Sequence, residues 1–111
     1  MYGYVKVGSA VPKLRVADCV YNKEEILKLV EAAAAKQVRV LSFPELSVTG
    51  YTCADLFFQT PLLHAAEQAI QEIAEATKAL NIFLLIGAPI AVDNQMFNCA
   101  VALYRGKLLG I

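Results

Sequence analysis

Glu45 is the residue of this 111-residue chain that is best placed to do chemistry. It follows an apolar run, Val38 to Phe43, that predicts a strand, and the adjacent Pro44 ends that strand because proline lacks the N–H that a β-ladder requires. In α/β proteins, ligands meet side chains at the carboxyl ends of strands. A carboxylate between Phe43 and Leu46 is expected to be poorly solvated, which suits a general base near neutral pH. The competing interpretation is structural: Glu45 caps a turn or pairs with a surface lysine.

The cysteine and histidine content argues against a disulfide framework and against a zinc site. Cys19, Cys53 and Cys99 are an odd number at wide spacing with no C-x-x-C pair, and His64 is the only histidine. We interpret the three cysteines as buried structural thiols and His64 as a partly exposed helical residue. The sequence therefore predicts no metal site.

The composition favours one apolar domain or part of one. Hydrophobic residues make up 58% of the chain and charged residues 18%, against roughly 25% in a typical soluble domain. Ten Lys and Arg balance ten Asp and Glu without a cluster of one sign, so nucleic acid is not an expected partner. The longest apolar run, Ile82 to Val92, is shorter than the roughly 18 residues of a membrane span, so no membrane association is expected. Residues 1–12 lack a signal-peptide pattern, and a cytoplasmic location is the default expectation.

Hydrophobic patterning predicts about four strands and two helices in α/β order. The predicted strands are Tyr4–Val11, Val38–Phe43, Ile82–Ile86 and Phe97–Tyr104, with turns at 93–94 and 105–106. The first strand is expected to be central because few charges interrupt it, and Gly87 is expected to close the third. A further apolar stretch follows the second turn, which suggests a chain that is cut off in the middle of a strand.

Two amphipathic stripes predict the helices. Asn22, with two glutamates in the first turn, is interpreted as the start of the first helix. Thr60 and Pro61 mark the start of the second helix, and Asn81 is expected to end it. Apolar positions at helical spacing should form the buried faces. They are Ile26, Leu29, Val30, Ala33 and Ala34 in the first helix and Leu62, Ala66, Ala69, Ile70, Ile73, Thr77 and Leu80 in the second.

The segment around Glu45 resembles a known family. The run FPELSVTGYTCADLFFQ, residues 43–59, is similar to the nitrilase or carbon–nitrogen hydrolase superfamily, and most closely to the glutaminase domain of glutamine-dependent NAD synthetases. LIGAP at 85–89 and FNCAVALYRGKLLGI at 97–111 resemble later family strands, in family order. The resemblance covers nearly the whole chain. It implies an α/β fold, the N-terminal portion of a nitrilase-like α-β-β-α sandwich, with residues 1–111 forming the N-terminal part of a glutaminase domain.

The resemblance implies a Glu-Lys-Cys site that cleaves an amide through a thioester. The family glutamate matches Glu45, which would be the general base. The family pattern makes Tyr51 a candidate for the wall of the substrate pocket, and the alternative is that Tyr51 anchors its loop against the core. The lysine and cysteine of the family are expected beyond Ile111, because Lys107 fits the second turn better and no cysteine of the chain has the context of the nucleophile. Asp55 is interpreted as the cap of a turn.

The implied substrate is glutamine, whose ammonia would serve the ATP-dependent amidation of deamido-NAD to NAD in a longer parent protein. ATP and magnesium belong to that synthetase region, so no cofactor is expected in residues 1–111, and the chain alone is expected to be inactive. Two alternatives stay open. One is a stand-alone amidase or carbamoylase of the same superfamily, since these share the glutamate, and the other is a non-catalytic α/β module that binds a partner through its apolar surface. Because the strands of a partial domain lack cover on one face, we also expect a homo-oligomer.

Overall fold

The chain forms a mixed sheet flanked by helices in the computed structural model, which describes residues 3–50, 60–93 and 95–111. Five strands and two helices lie in these described ranges. In chain order they are β1 (Val7–Ser9), α1 (Cys19–Ala35), β2 (Val40–Ser42), α2 (Thr60–Ala76), β3 (Phe83–Val92), β4 (Gln95–Tyr104) and β5 (Lys107–Gly110). The strands β1, β2 and β3 pair in parallel, and β4 and β5 follow as antiparallel hairpins, so that the spatial order equals the chain order. The predicted α/β class is confirmed.

The two helices bury their apolar stripes in one core. Ile26 and Val30 of α1 and Ala66 and Ile73 of α2 are 0% exposed. They join alternate residues of the strands in a single cluster, so both helices cover the same face of the sheet. The strand members of that cluster are Leu41, Leu84, Ile86, Ala88, Val101 and Leu103. The predicted stripe of α2 is therefore confirmed. In α1, Ile26, Val30 and Ala33 join the core as predicted, whereas Leu29 and Ala34 are only partly buried and do not belong to the cluster.

The first helix begins at Cys19, before the residue that the sequence pattern marked as its start. Asp18 is the N-cap, and its Oδ1 accepts a hydrogen bond from the N–H of Tyr21 at 3.0 Å. Asn22 is instead fully buried in the helix: its side-chain amide donates to the carbonyls of Arg15 at 2.9 Å and Val48 at 2.8 Å. Its Oδ1 accepts from the N–H of Arg15 at 2.7 Å. The capping interpretation of Asn22 was wrong because its side chain joins two other segments of the backbone.

The second helix starts at Thr60, as predicted, and ends at Ala76 rather than near Asn81. Thr77 follows the last helical residue, and its hydroxyl donates to the carbonyl of Ile73 at 2.8 Å. The chain then turns, although the apolar spacing continues to Leu80. The apolar pattern extends beyond the end of the helix because Thr77 and Leu80, which lie in the following turn, also pack against the core.

The first strand is shorter than predicted and lies at the edge of the sheet, not at its centre. It spans only Val7–Ser9 and is paired with β2 alone. Val5 and Val7 are 62% and 67% exposed. A run poor in charges indicates that a strand is suited to burial, but it does not say which segment covers it.

The third strand continues through Gly87 and Pro89, where the sequence predicted an end at Ile86. The hairpin closes on the pair Val92–Gln95. Hydrogen-bonded and non-hydrogen-bonded pairs alternate along an antiparallel ladder, and counting from the closing pair makes Pro89 and Asn98 a non-hydrogen-bonded pair. The missing N–H of Pro89 therefore costs no bond to β4. Both predicted turns are confirmed by the strand bounds, although Asn94 itself lies outside the described residues.

Large apolar side chains remain exposed in the described ranges. They include Val7 on β1, Phe97 on β4, and Leu108 and Leu109 on β5, which are between 47% and 67% exposed. The sheet face opposite the helices carries further apolar residues, such as Phe83 and Leu85, that are only half-buried. None of the described helices is long and apolar enough to cross a membrane.

We expect the 111-residue polypeptide to self-associate in solution through these surfaces. Exposed apolar patches beyond a few hundred Å² and unpaired strand edges are sites of association. Light scattering over a dilution series should show a mass above that of the 12.1 kDa chain that falls on dilution. A monomer at micromolar concentration that unfolds cooperatively would contradict this expectation.

Candidate active site

Glu45 lies in a tight turn directly after β2. The turn is closed by its own backbone, since the N–H groups of Thr49 and Gly50 both donate to the carbonyl of Leu46, at 3.2 and 2.7 Å. The N–H of Phe43 donates to the carbonyl of Leu85 at 2.9 Å and so extends the bonding of β2 to β3 up to the turn. Leu46 has a φ of 53°, in the left-handed region that non-glycine residues rarely adopt. Glu45 is therefore presented by a compact turn at the carboxyl end of a parallel strand.

Gly87 on β3 is the surface against which this turn rests. Its carbonyl accepts hydrogen bonds from the N–H of Val48 at 3.1 Å and from the hydroxyl of Ser47 at 3.4 Å. A Cβ at position 87 would lie 2.5 Å from the carbonyl oxygen of Pro44 and 2.8 Å from the carbonyl carbon of Glu45. No other residue type fits at that approach, so the absence of a side chain at Gly87 sets the height of Glu45 above the sheet.

The carboxylate of Glu45 is held from β4. The side-chain amide of Asn98 donates a hydrogen bond to its Oε1. The partner of Glu45 is thus an amide on the neighbouring hairpin, not the surface lysine of the structural interpretation. Glu45 and Asn98 are both exposed in this structure. The predicted poorly solvated position of Glu45 is therefore wrong for the described residues, because Leu46 turns into the core while Glu45 turns out of it.

A cavity of about 340 Å³ opens beside the Glu45 carboxylate. Its size is at the lower end of the range for small-molecule sites. Its lining residues are Phe43, Glu45, Leu85, Ile86, Gly87, Asn98, Cys99 and Ala100. Ala100, which lies opposite Gly87 across β3 and β4, carries only a methyl group on this wall. The cavity combines an apolar floor with one carboxylate and one amide, an arrangement that can accept a proton from a small polar ligand.

The remaining residues singled out from the sequence do not join Glu45. Tyr51, Cys53 and Asp55 lie outside the described residues. Cys19 is buried in the core, which confirms its structural interpretation. His64 is an exposed residue of α2, and Lys107 is the exposed first residue of β5, directly after the turn.

Cys99 is half-buried rather than buried as predicted. It pairs across the hairpin with Ala88, whose side chain belongs to the core under the helices. Because side chains alternate along a strand, the thiol of Cys99 points to the face opposite Asn98 and Ala100. Cys99 therefore borders the cavity without offering its sulfur to it, and Glu45 has no thiol nucleophile beside it among residues 3–50, 60–93 and 95–111.

Two residues place Glu45 without having been predicted from the sequence, namely Gly87 and Asn98. Each carries a signal. A glycine inside a strand often marks a close approach of another backbone, and an asparagine is out of place in an otherwise apolar strand. Neither pattern predicts that the residue contacts Glu45, because such a contact joins distant parts of the sequence. Asn98, for example, is 53 positions from Glu45.

The described groups with perturbed pKa values lie on the helices. Lys23 of α1 bonds Glu72 of α2 at 3.0 Å, which raises the pKa of Lys23 and lowers that of Glu72. Within α1, the hydrogen bond between Lys28 and Glu25 lowers the pKa of Glu25 and raises that of Lys28. Because one partner of each pair is exposed, these ion pairs contribute little to stability. The Lys23–Glu72 pair joins the two helices that cover the core.

The mixed sheet with both helices on one face, and a glutamate on the turn after its second strand, defines an α/β protein of the nitrilase-like fold. Similarity to known sequences agrees with this class, because the model of the family described as "Carbon-nitrogen hydrolase" matches residues 6–111. The chain belongs to the carbon-nitrogen hydrolase family.

Individual proteins of known name that are similar to this chain include NAD(+) synthetases and an amidase. A glutamine-dependent NAD(+) synthetase of Mycobacterium leprae is 33% identical over 109 residues, which are 98% of this chain and 16% of that protein. The crystal structure of a glutamine-dependent NAD(+) synthetase from Cytophaga hutchinsonii superposes with a TM-score of 0.89 at 29% identity, over 96% of this chain and 18% of that one. An amidase from Nesterenkonia sp. superposes with a TM-score of 0.79 at 21% identity, over 96% of this chain and 41% of that one, and shows the shared fold. The chain thus spans about a sixth of the curated relative.

Proposed function

We propose that this chain is the N-terminal part of a glutaminase domain, in which Glu45 is the general base. The observation that carries the proposal is the placement of the Glu45 carboxylate at the rim of a cavity at the carboxyl end of β2. The turn on Gly87 and the amide of Asn98 fix that carboxylate from two sides. The similarity to glutamine-dependent NAD(+) synthetases supports glutamine as the amide.

The proposed reaction begins when Glu45 accepts the proton of a cysteine thiol. The resulting thiolate attacks the side-chain carbonyl carbon of glutamine, and the C–N bond breaks as the proton passes to the nitrogen, so that ammonia leaves and a thioester remains. Water then gives a proton to Glu45 and attacks the thioester, which releases glutamate and restores the thiol. The resemblance to the family implies the cysteine and a lysine, and we assign neither within residues 1–111.

The ammonia would serve the synthesis of NAD from deamido-NAD in the full-length protein. That amidation consumes ATP, and Mg²⁺ would assist it in a synthetase region outside these residues. The immediate partner of the site described above is therefore glutamine, while deamido-NAD and ATP bind elsewhere.

Trapping of the thioester in the full-length protein tests this function. Acid quenching during turnover of glutamine should leave a glutamyl group on the protein, seen as a mass increase in denaturing mass spectrometry. No covalent intermediate and no ammonia release would favour the alternative of a non-catalytic module. Faster turnover of simple aliphatic amides than of glutamine, without NAD formation from ATP and deamido-NAD, would favour a stand-alone amidase.

We expect the isolated 111-residue polypeptide to release no ammonia from glutamine. A nucleophile and its base act as a unit, so the base alone gives little catalysis. The measurement is ammonia release by purified polypeptide at high concentration, with the Glu45→Gln polypeptide as the matched control. Turnover by the unmodified polypeptide that Glu45→Gln abolishes would contradict this expectation.

A further inference from the structure

The amide of Asn98 makes the most specific contact with the candidate base. We propose that Asn98 is a positioning residue that orients the Glu45 carboxylate for proton transfer, an inference that rests on the proposed function of Glu45. The Nδ2 group of Asn98 donates to Oε1 of Glu45, and the two residues come from different elements, β4 and the turn after β2.

The hairpin register explains how Asn98 reaches Glu45. Asn98 lies opposite Pro89, and Ala100 lies opposite Gly87, so all four residues share the face of the sheet on which the turn rests. Gly87 and Ala100 carry almost no side chain, which lets the turn approach the sheet. Asn98 is the polar residue of this group, and its amide extends from that face to the edge of the cavity.

The hydrogen bond selects one orientation of a mobile group. An exposed glutamate side chain rotates about three bonds, so without a partner its carboxylate would sample several orientations. Donation to Oε1 holds the carboxylate over the cavity and leaves Oε2 free to accept a proton.

The chemical type of the donor is also suited to a base. A lysine or arginine at this position would stabilise the negative charge of Glu45 strongly and so weaken it as a proton acceptor. A neutral amide supplies the orientation with a much smaller stabilisation of the charge.

The test compares Asn98→Asp and Asn98→Ala in the full-length protein. Asn98→Asp keeps the size of the side chain but replaces the donor by a second carboxylate, which repels Glu45. Both variants are expected to lower kcat for glutamine hydrolysis about 10- to 100-fold, with Asn98→Asp at least as impaired as Asn98→Ala and with KM changed less than about threefold, as a displaced base should. Asn98→Gln, which keeps an amide, should recover part of the loss, and Gln95→Ala on the same strand should behave as the unmodified protein.

Several results would overturn the proposal. If Asn98 only fills the wall of the cavity, Asn98→Asp stays active and Asn98→Ala does not. If Asn98 binds glutamine directly, KM rises while kcat is unchanged. Thermal midpoints and ammonia-dependent NAD synthesis, measured on each variant, identify any loss that comes from misfolding. For such a variant Asn98→Gln decides, since a fall in kcat at unchanged KM supports the proposal and activity equal to that of Gln95→Ala overturns it.

Glu45→Gln measured in parallel separates this proposal from the function on which it rests. Unchanged glutamine hydrolysis in Glu45→Gln removes the proposed role of Glu45 and the role of Asn98 with it. Impaired Glu45→Gln with fully active Asn98 variants removes the role of Asn98 alone. If both roles hold, adding Asn98→Asp to Glu45→Gln causes no further loss, because there is no base left to position.

Discussion

Glu45→Gln is expected to abolish glutamine-dependent NAD formation by the full-length protein while NAD formation from free ammonia continues. Glutamine has the size of glutamate, and its amide can still contact Asn98, but it has no basic oxygen to take the proton of a thiol. Loss of a general base costs about 10²- to 10⁴-fold in rate. Ammonia-dependent synthesis bypasses the amide cleavage and should keep its rate. The measurement is NAD formation with glutamine and with ammonium as alternative nitrogen donors.

Glu31→Gln is the matched control for this substitution. Glu31 is an exposed glutamate on α1, away from the cavity, and its replacement makes the same change in net charge. Both activities of Glu31→Gln should equal those of the unmodified protein. An equal loss of the glutamine-dependent and ammonia-dependent activities in Glu45→Gln would mean that Glu45 is structural or that the proposed assignment of domains is wrong.

Gly87→Ala is expected to impair the same activity strongly, although residue 87 offers no group for chemistry. The new Cβ would lie closer than 3 Å to the backbone of Pro44, Glu45 and Leu46, and no flexible side-chain end is there to give way. The turn must therefore move away from β3, which weakens the hydrogen bonds that Ser47 and Val48 donate to the carbonyl of Gly87. A displacement of about 1 Å at a catalytic group can cost about 10²-fold in rate, and overpacking costs about 1–3 kcal/mol of stability.

The control for Gly87→Ala is Gly8→Ala on β1. A Cβ at position 8 would lie 3.5 Å from a side-chain carbon of Leu41 and 3.6 Å from one of Val38, so this substitution adds the same methyl group to the same sheet at ordinary van der Waals distances. Urea unfolding and glutamine hydrolysis should be nearly unchanged in Gly8→Ala and impaired in Gly87→Ala. A Gly87→Ala protein with full stability and full glutaminase rate would show that the position of the turn does not control the site.

The elements with strong periodicity were predictable from the sequence, and the ends of the strands were not. The stripe of α2 repeats over four turns, and each of its predicted members is buried or partly buried. The strand β1 has no such repeat, and its apolar residues describe what it could bury rather than where it lies in the sheet. Its edge position follows from pairing with β2, which is a contact between distant parts of the chain.

In the candidate site, too, the residue with a local sequence pattern was predictable and the residues that act across the sheet were not. Glu45 was found from its neighbours, because a strand that ends in proline and glutamate is a local pattern. The solvation of Glu45 was predicted wrongly from the same neighbours, since Phe43 and Leu46 turn toward the protein interior and Glu45 does not. Gly87 and Asn98 act on Glu45 across the sheet, and no local pattern records which turn a strand will meet.

The β3–β4 hairpin also sets the order in which the parts of this site are made and assembled. Glu45 leaves the ribosome 53 residues before Asn98. The residues of the turn are therefore synthesised before the surface that holds the turn. Once both strands are present, a hairpin joined by two residues can form in about 1–10 μs, whereas parallel pairing must first close long loops and is slower. Gly87 and Asn98 are thus expected to be in place on the nascent sheet when the turn docks, and Glu45 is expected to reach its position after these two residues.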